Sequence, residues 1–122
     1  MHEFLYSIPS FIVAITILVA IHEYGHYIIA KKLGVKILRF SIGFGKPLFL
    51  KRFGKDQTEF VIAALPLGGY VKMLDERIDD VKPEDKDKTF NSKTVYQRIA
   101  IVAAGPLANF ICALFALYIM FL

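Results

Sequence analysis

The run His22-Glu23-Tyr24-Gly25-His26 sets two imidazoles four residues apart, with a carboxylate directly after the first. It matches the pattern H-E-x-x-H. On a helix, positions i and i+4 lie on one face, so both rings can reach one ion. Neutral imidazole nitrogen suits zinc. Glu23 would stand beside that metal, where it can take a proton from a water the ion has acidified. Gly25 removes a side chain from a crowded helix face and leaves room for a partner helix or a substrate. Three fixed positions also arise by chance, and two histidines at this spacing can be ordinary helix residues. The setting separates the readings. The match lies at the end of a long apolar run, where ionisable side chains are expensive and usually functional.

A catalytic zinc takes three protein ligands and keeps one position open. The motif offers two. The remaining acids, among them Asp56, Glu59, Asp75 and Glu76, fall in the polar middle of the chain. Asn109 is the only strongly polar residue of the second apolar run, and amide oxygen is a poor zinc ligand. The third ligand is therefore expected outside this sequence. Asn109 itself suits either a hydrogen bond between helices or a contact to substrate. Gly43-Phe44-Gly45 lacks the third glycine and the following helix of a dinucleotide loop. It reads as a tight turn, or as a place where backbone comes close to a bound peptide. The candidate site is thus His22 and His26 for zinc and Glu23 for catalysis. Gly43, Phe44, Gly45 and Asn109 are candidates for substrate binding.

The elements that must hold these groups are membrane elements. Of 122 residues, 56% are hydrophobic, more than a soluble domain of this size carries. Residues 4–21 are apolar except for Tyr6, Ser7, Pro9, Ser10 and Thr16. A helical span needs about 20 such residues. The start of the chain offers His2 and Glu3 but no Lys or Arg, unlike the positive start of a signal peptide, so a retained helix is predicted. Residues 99–122 form a second uncharged run, with Asn91 or Ser92 as its cap and Gly105-Pro106 as a kink. Cys112 is the single cysteine and reads as a small buried hydrophobe, so no disulfide framework exists.

Between the spans, three short apolar or alternating runs (35–40, 47–50 and 58–63) predict a β-rich stretch, punctuated by Gly43, Gly45, Gly54 and Gly68-Gly69. Residues 75–88 are charged and read as a solvated, flexible loop. The predicted organisation is a first transmembrane helix over 1–30, a membrane-associated β-rich loop over 31–74, a charged loop over 75–91 and a second transmembrane helix over 92–122. All 15 Lys and Arg lie within residues 31–98. Nine of the 11 acids lie there too, all but Glu3 and Glu23, which weighs against nucleic acid as a partner. Basic residues favour the cytoplasmic side, so 31–98 is expected inside and both ends outside.

The chain resembles the site-2 protease family of zinc intramembrane metalloproteases (peptidase family M50), most closely its bacterial RseP-type members. The matching segments are Phe11-Ile-Val-Ala14, His22-Glu-Tyr-Gly-His26, Arg39-Phe-Ser-Ile-Gly-Phe-Gly-Lys46, Leu65-Pro-Leu-Gly-Gly-Tyr-Val-Lys-Met-Leu-Asp-Glu-Arg77, Phe90-Asn91 and Ala104-Gly-Pro-Leu-Ala-Asn-Phe110. They run through the chain in order.

The resemblance implies regulated proteolysis of a transmembrane substrate such as an anti-sigma factor, in the bacterial inner membrane, with Zn2+ as cofactor. It implies that the β-rich loop reaches back toward the active site and holds substrate as an added strand. It also implies later membrane helices, one with an aspartate as third zinc ligand, and PDZ domains, none of which this sequence contains. The chain is then expected to be the N-terminal portion of a longer enzyme, inactive alone, with the C-terminal portion, the lipid bilayer and the substrate as its partners. The competing expectations are a two-span membrane adaptor that keeps the fold without activity, and a non-proteolytic zinc hydrolase. A strand edge that could receive peptide argues against the second.

Overall fold

The computed structural model describes residues 2–122. Its order is helix α1 (His2–Lys32), strand β1 (Ile37–Phe53), strand β2 (Thr58–Met73), a 3-10 turn over Pro83–Lys88, and helix α2 (Val95–Met120). Two helices long and apolar enough to cross a membrane therefore flank a small two-stranded sheet.

α1 runs through Pro9 without a break. Its serine and threonine hydroxyls are absorbed by its own backbone. Ser7 donates to Glu3 O (2.5 Å), Ser10 to Tyr6 O (2.8 Å) and Thr16 to Ile12 O (2.8 Å), each one turn back. The outward side chains are apolar; Leu5, Phe11, Val13 and Ile17 are all more than half exposed. The helix stops at Gly34, whose φ of +86° is in the left-handed region. Val35 N–H then bonds Ala30 O (2.9 Å) and Gly34 N–H bonds Lys31 O (3.1 Å), the two bonds of a Schellman ending.

The β region differs from the three short strands expected. Two long strands each fold over on themselves. The outer parts pair as an antiparallel hairpin, Phe53 opposite Thr58 and Leu50 opposite Val61. The other ends pair as well, Phe40 opposite Val71 and Ser41 opposite Tyr70. Folding over also brings 39–42 against 59–62, with numbers rising together, so this middle seam runs parallel. Residues 39–42 thus have a partner on both edges. Arg39 pins the arrangement: its guanidinium meets Glu59 at 2.7 Å and donates to the Tyr70 hydroxyl at 3.4 Å. Gly43 (φ +94°) and Gly45 (φ +87°) sit where β1 bends. A Cβ at Gly43 would meet the Leu65 and Ala63 carbonyl oxygens at 2.8 and 3.0 Å. Gly68 and Gly69, expected to punctuate the β-rich stretch, lie inside β2.

Two further expectations are corrected. The charged segment is not simply solvated. Asp85 and Thr89 are buried. Lys36 pairs with Asp85 at 3.3 Å, while Lys36 N–H bonds Lys88 O (2.8 Å) and Phe90 N–H bonds Leu74 O (2.9 Å). Burial is tolerated because the charge is paired and the backbone is satisfied. Nearby, the Arg77 guanidinium and backbone N–H both bond the Asp75 carboxylate, holding it below the ordinary carboxylate value. The cap of α2 is Thr94 rather than Asn91 or Ser92. Gln97 N–H bonds Thr94 Oγ1 (3.2 Å) and Thr94 N–H bonds Gln97 Oε1 (3.0 Å), a complete capping box. α2 then continues unbroken through Pro106.

The buried core (Tyr27, Ala30, Val35, Ile37, Phe40, Ile101) lies where the end of α1, the start of β1 and the start of α2 meet. It fixes α2 antiparallel to α1 over the H-E-x-x-H turn, His26 beside Ile101 and His22 beside Asn109.

Candidate metal centre

His22, Glu23 and His26 occupy consecutive turns of α1. The two rings stand edge to face, centroids 4.7 Å apart, and their Nε2 atoms converge to 3.1 Å. α2 supplies the opposite wall. His26 Nδ1 lies 2.7 Å from the Ile101 carbonyl oxygen, and Asn109 Nδ2 lies 3.4 Å from His22 Nδ1. Gly105 sits between them; a Cβ there would collide with both imidazoles. Ile101, Gly105 and Asn109 are spaced by four, so they share one face of α2.

These residues fit two ligands of a zinc ion. A carbonyl only accepts, so His26 donates from Nδ1, and the neutral imidazole then presents a bare Nε2. With Zn–N near 2.0–2.1 Å, two ligand nitrogens at a tetrahedral angle stand about 3.4 Å apart, close to the observed separation. Among the described residues, no third His, Cys, Asp or Glu joins the pair.

Glu23 faces two grooves. One, of about 400 Å³, is lined by Glu23, His26, residues 69–73 of β2, and Ile101 and Val102 of α2. The other, of about 340 Å³, is lined by His22, Glu23, Phe44, 67–69 and Asn109. In β2, residues 69–73 pair with β1 along one edge. No pairing is recorded on their other edge among the described residues. Gly69 brings that strand against α1. A Cβ on it would sit 2.5 Å from Ser41 O, 2.9 Å from Val19 Cγ1 and 3.5 Å from Glu23 Cγ.

The candidate substrate residues separate. Phe44 lines the second groove, stacks on Tyr70 (centroids 6.3 Å apart) and covers Gly68. Gly43 and Gly45 line neither groove and serve the bend of β1. Asn109 reaches His22. The sequence pointed to a strand edge and to Gly105 as a kink, but not to the Ile101 carbonyl or to the clearance that Gly105 gives the two imidazoles. The small residues Ala104, Gly105 and Ala108 were the available signal for a close helix approach.

Residues 10–122 match the family model described as peptidase family M50. The chain is 55% identical over 122 residues to the regulator of sigma-E protease RseP of Escherichia coli K12, covering all of this chain and 27% of that protein. It is 53% identical over 122 residues to the protease RseP of Yersinia pestis, again all of this chain and 27% of the relative. To a Xylella fastidiosa protein assigned by name to the zinc metalloproteases it is 56% identical over 121 residues, 99% of this chain and 27% of that one. The chain thus spans about a quarter of the length of these relatives.

Proposed function

The chain belongs to peptidase family M50, and on that premise we propose that it forms the N-terminal part of a zinc-dependent intramembrane protease of the site-2 type. The observation that carries this reading is the position of Glu23. It stands between two converging imidazoles and a strand edge that can accept a peptide.

His22 and His26 would hold the zinc, with a third ligand from the remaining part of the enzyme. Zinc, when bound, supplies Lewis acidity to water and to the scissile carbonyl. Glu23 takes the proton as water adds to that carbonyl. It returns the proton to the amide nitrogen as the C–N bond breaks. The free edge of residues 69–73 orients the substrate as an added strand, giving main-chain hydrogen bonds within reach of Glu23. A helical substrate must unwind first, because a helix spends its carbonyls on its own N–H groups.

In this reading α1 and α2 cross the bacterial inner membrane. Residues 31–98 are cytoplasmic and both ends lie outside, following the confinement of Lys and Arg. The substrate is a transmembrane protein of the anti-sigma-factor type, by analogy with relatives named as regulators of sigma-E. The 122-residue chain alone is inactive, since two imidazoles neither hold the ion tightly nor fix its position relative to Glu23.

The test is Glu23→Gln in the full-length enzyme. Cleavage of a transmembrane substrate should vanish while bound zinc, measured by elemental analysis, stays at one per chain. Retained cleavage rejects Glu23 as the base; lost zinc makes it a ligand.

A further inference from the structure

Asn109 presents a puzzle of stability. Its Oδ1 is buried with no hydrogen-bond partner among the described residues, inside a helix whose neighbouring positions are apolar. A buried amide atom without a partner costs free energy that a leucine would not incur. Packing alone does not account for an asparagine here.

Two hydrogen-bond assignments fit the geometry. The amide oxygen and nitrogen of Asn interchange by a half-turn about the side chain, and which is which follows from the neighbours. In the first, Nδ2–H donates to His22 Nδ1 at 3.4 Å. His22 must then carry its proton on Nε2, pointed at His26 Nε2 at 3.1 Å. In the second, the amide is turned over, and Oδ1 accepts from His22 Nδ1–H. Either leaves one amide atom without a partner, so the amide does not decide. The histidines do. Only the second leaves His22 Nε2 bare, as the Ile101 carbonyl already leaves His26 Nε2. Both lone pairs then aim at one point.

Building on the metalloprotease reading above, we infer that Asn109 is a positioning residue rather than a substrate contact. Its amide oxygen holds His22 in the Nδ1–H tautomer, as the Ile101 carbonyl holds His26. α2 therefore sets the tautomer of both ligands: Ile101 and Asn109 hold the rings, and Gly105 gives them room. Outer partners of this kind fix ring orientation and raise ligand basicity.

The test uses the full-length enzyme, with zinc affinity read by competition against a chromophoric chelator. Asn109→Leu removes the acceptor and should weaken zinc about 10–100-fold, the usual loss for an outer partner. Its thermal midpoint should hold or rise, because the orphaned atom is gone. Asn109→Asp keeps an acceptor and removes the donor, and should retain affinity near the original. In imidazole 15N spectra, His22 should show Nδ1–H in the original and in Asn109→Asp, and mixed tautomers in Asn109→Leu. If Asn109→Asp loses zinc as badly as Asn109→Leu, or if Asn109→Leu binds normally, the role is wrong. His22→Ala is measured alongside. Normal zinc binding in that variant would instead overturn the metal-site reading itself.

Discussion

Gly25 of α1 and Ala104 of α2 meet backbone to backbone. A Cβ added at Gly25 would fall on the Ala104 carbonyl oxygen and 2.8 Å from the Ala108 Cβ. The contact lies one residue before His26 and one before Gly105, so the helix separation and the metal geometry are one quantity. Gly25→Val must push the helices apart, and overpacking of this kind costs about 1–3 kcal/mol. It should also pull both imidazoles from their partners on α2. A fall of about tenfold or more in zinc affinity is expected, since outer-partner losses have this size. Unchanged affinity in a folded Gly25→Val protein would show that the helix contact does not set the site.

Gly69 couples the strand edge to α1 in the same way. Gly69→Val would strike Ser41 O and Val19 Cγ1, shifting residues 69–73 away from Glu23. Neither imidazole is among the nearest atoms that a Cβ at Gly69 would meet, so zinc should remain bound. Cleavage of a transmembrane substrate should fall about a hundredfold, the loss that a displacement near 1 Å can bring. Full activity with Gly69→Val would remove this edge from the substrate path.

Topology is open to direct labelling. In a Cys112→Ala background, His2→Cys should react with a membrane-impermeant thiol reagent in cells with a permeabilised outer layer. Ser92→Cys should react only after the inner membrane is broken. The expectation rests on the confinement of every Lys and Arg to residues 31–98. Labelling of Ser92→Cys from outside would invert the arrangement.

The turn at Asp75 should respond to acid and not to base. Hydrogen bonds from Arg77 lower the Asp75 carboxyl below its ordinary value. A depressed carboxylate contributes stability that is complete above its unfolded value and fades as pH falls through the folded one. Arg77→Ala should raise the Asp75 midpoint seen in carboxyl 13C titration. The rise should be partial, because the backbone N–H of residue 77 still bonds Asp75. An unchanged midpoint would mean that the side chain of Arg77 is not the cause.

Much of the site was legible because it is local. H-E-x-x-H, the two apolar runs and the β character of the middle depend on neighbours in sequence. The capping box was legible too, since Thr94 and Gln97 stand in the T-x-x-Q spacing, but Asn91 and Ser92, further from the helix, are the caps the sequence suggests first. What could not be read depends on distant partners. Asp85 is buried because Lys36, 49 residues away, receives it. Gly68 and Gly69 signal close approach rather than a turn, and the Phe44 ring and Val19 that demand it lie far back in the chain. The fold-over that gives residues 39–42 two partners arises only once both strands exist.

The bond from His26 to the Ile101 carbonyl has a consequence for mutational tolerance. The acceptor is main chain, so every residue type at position 101 supplies it. Substitution there can change volume in the core, where Ile101 is 1% exposed, yet cannot delete the hydrogen bond while the helix stands. A library at position 101 should therefore sort by side-chain size, and polar or charged character should register only through burial. Proline is no exception to the acceptor rule, for it keeps its carbonyl; it would act by breaking the turn that aims it. Half of the ligand support is in this way shielded from most substitutions, because it is carried by helix geometry and not by a side chain.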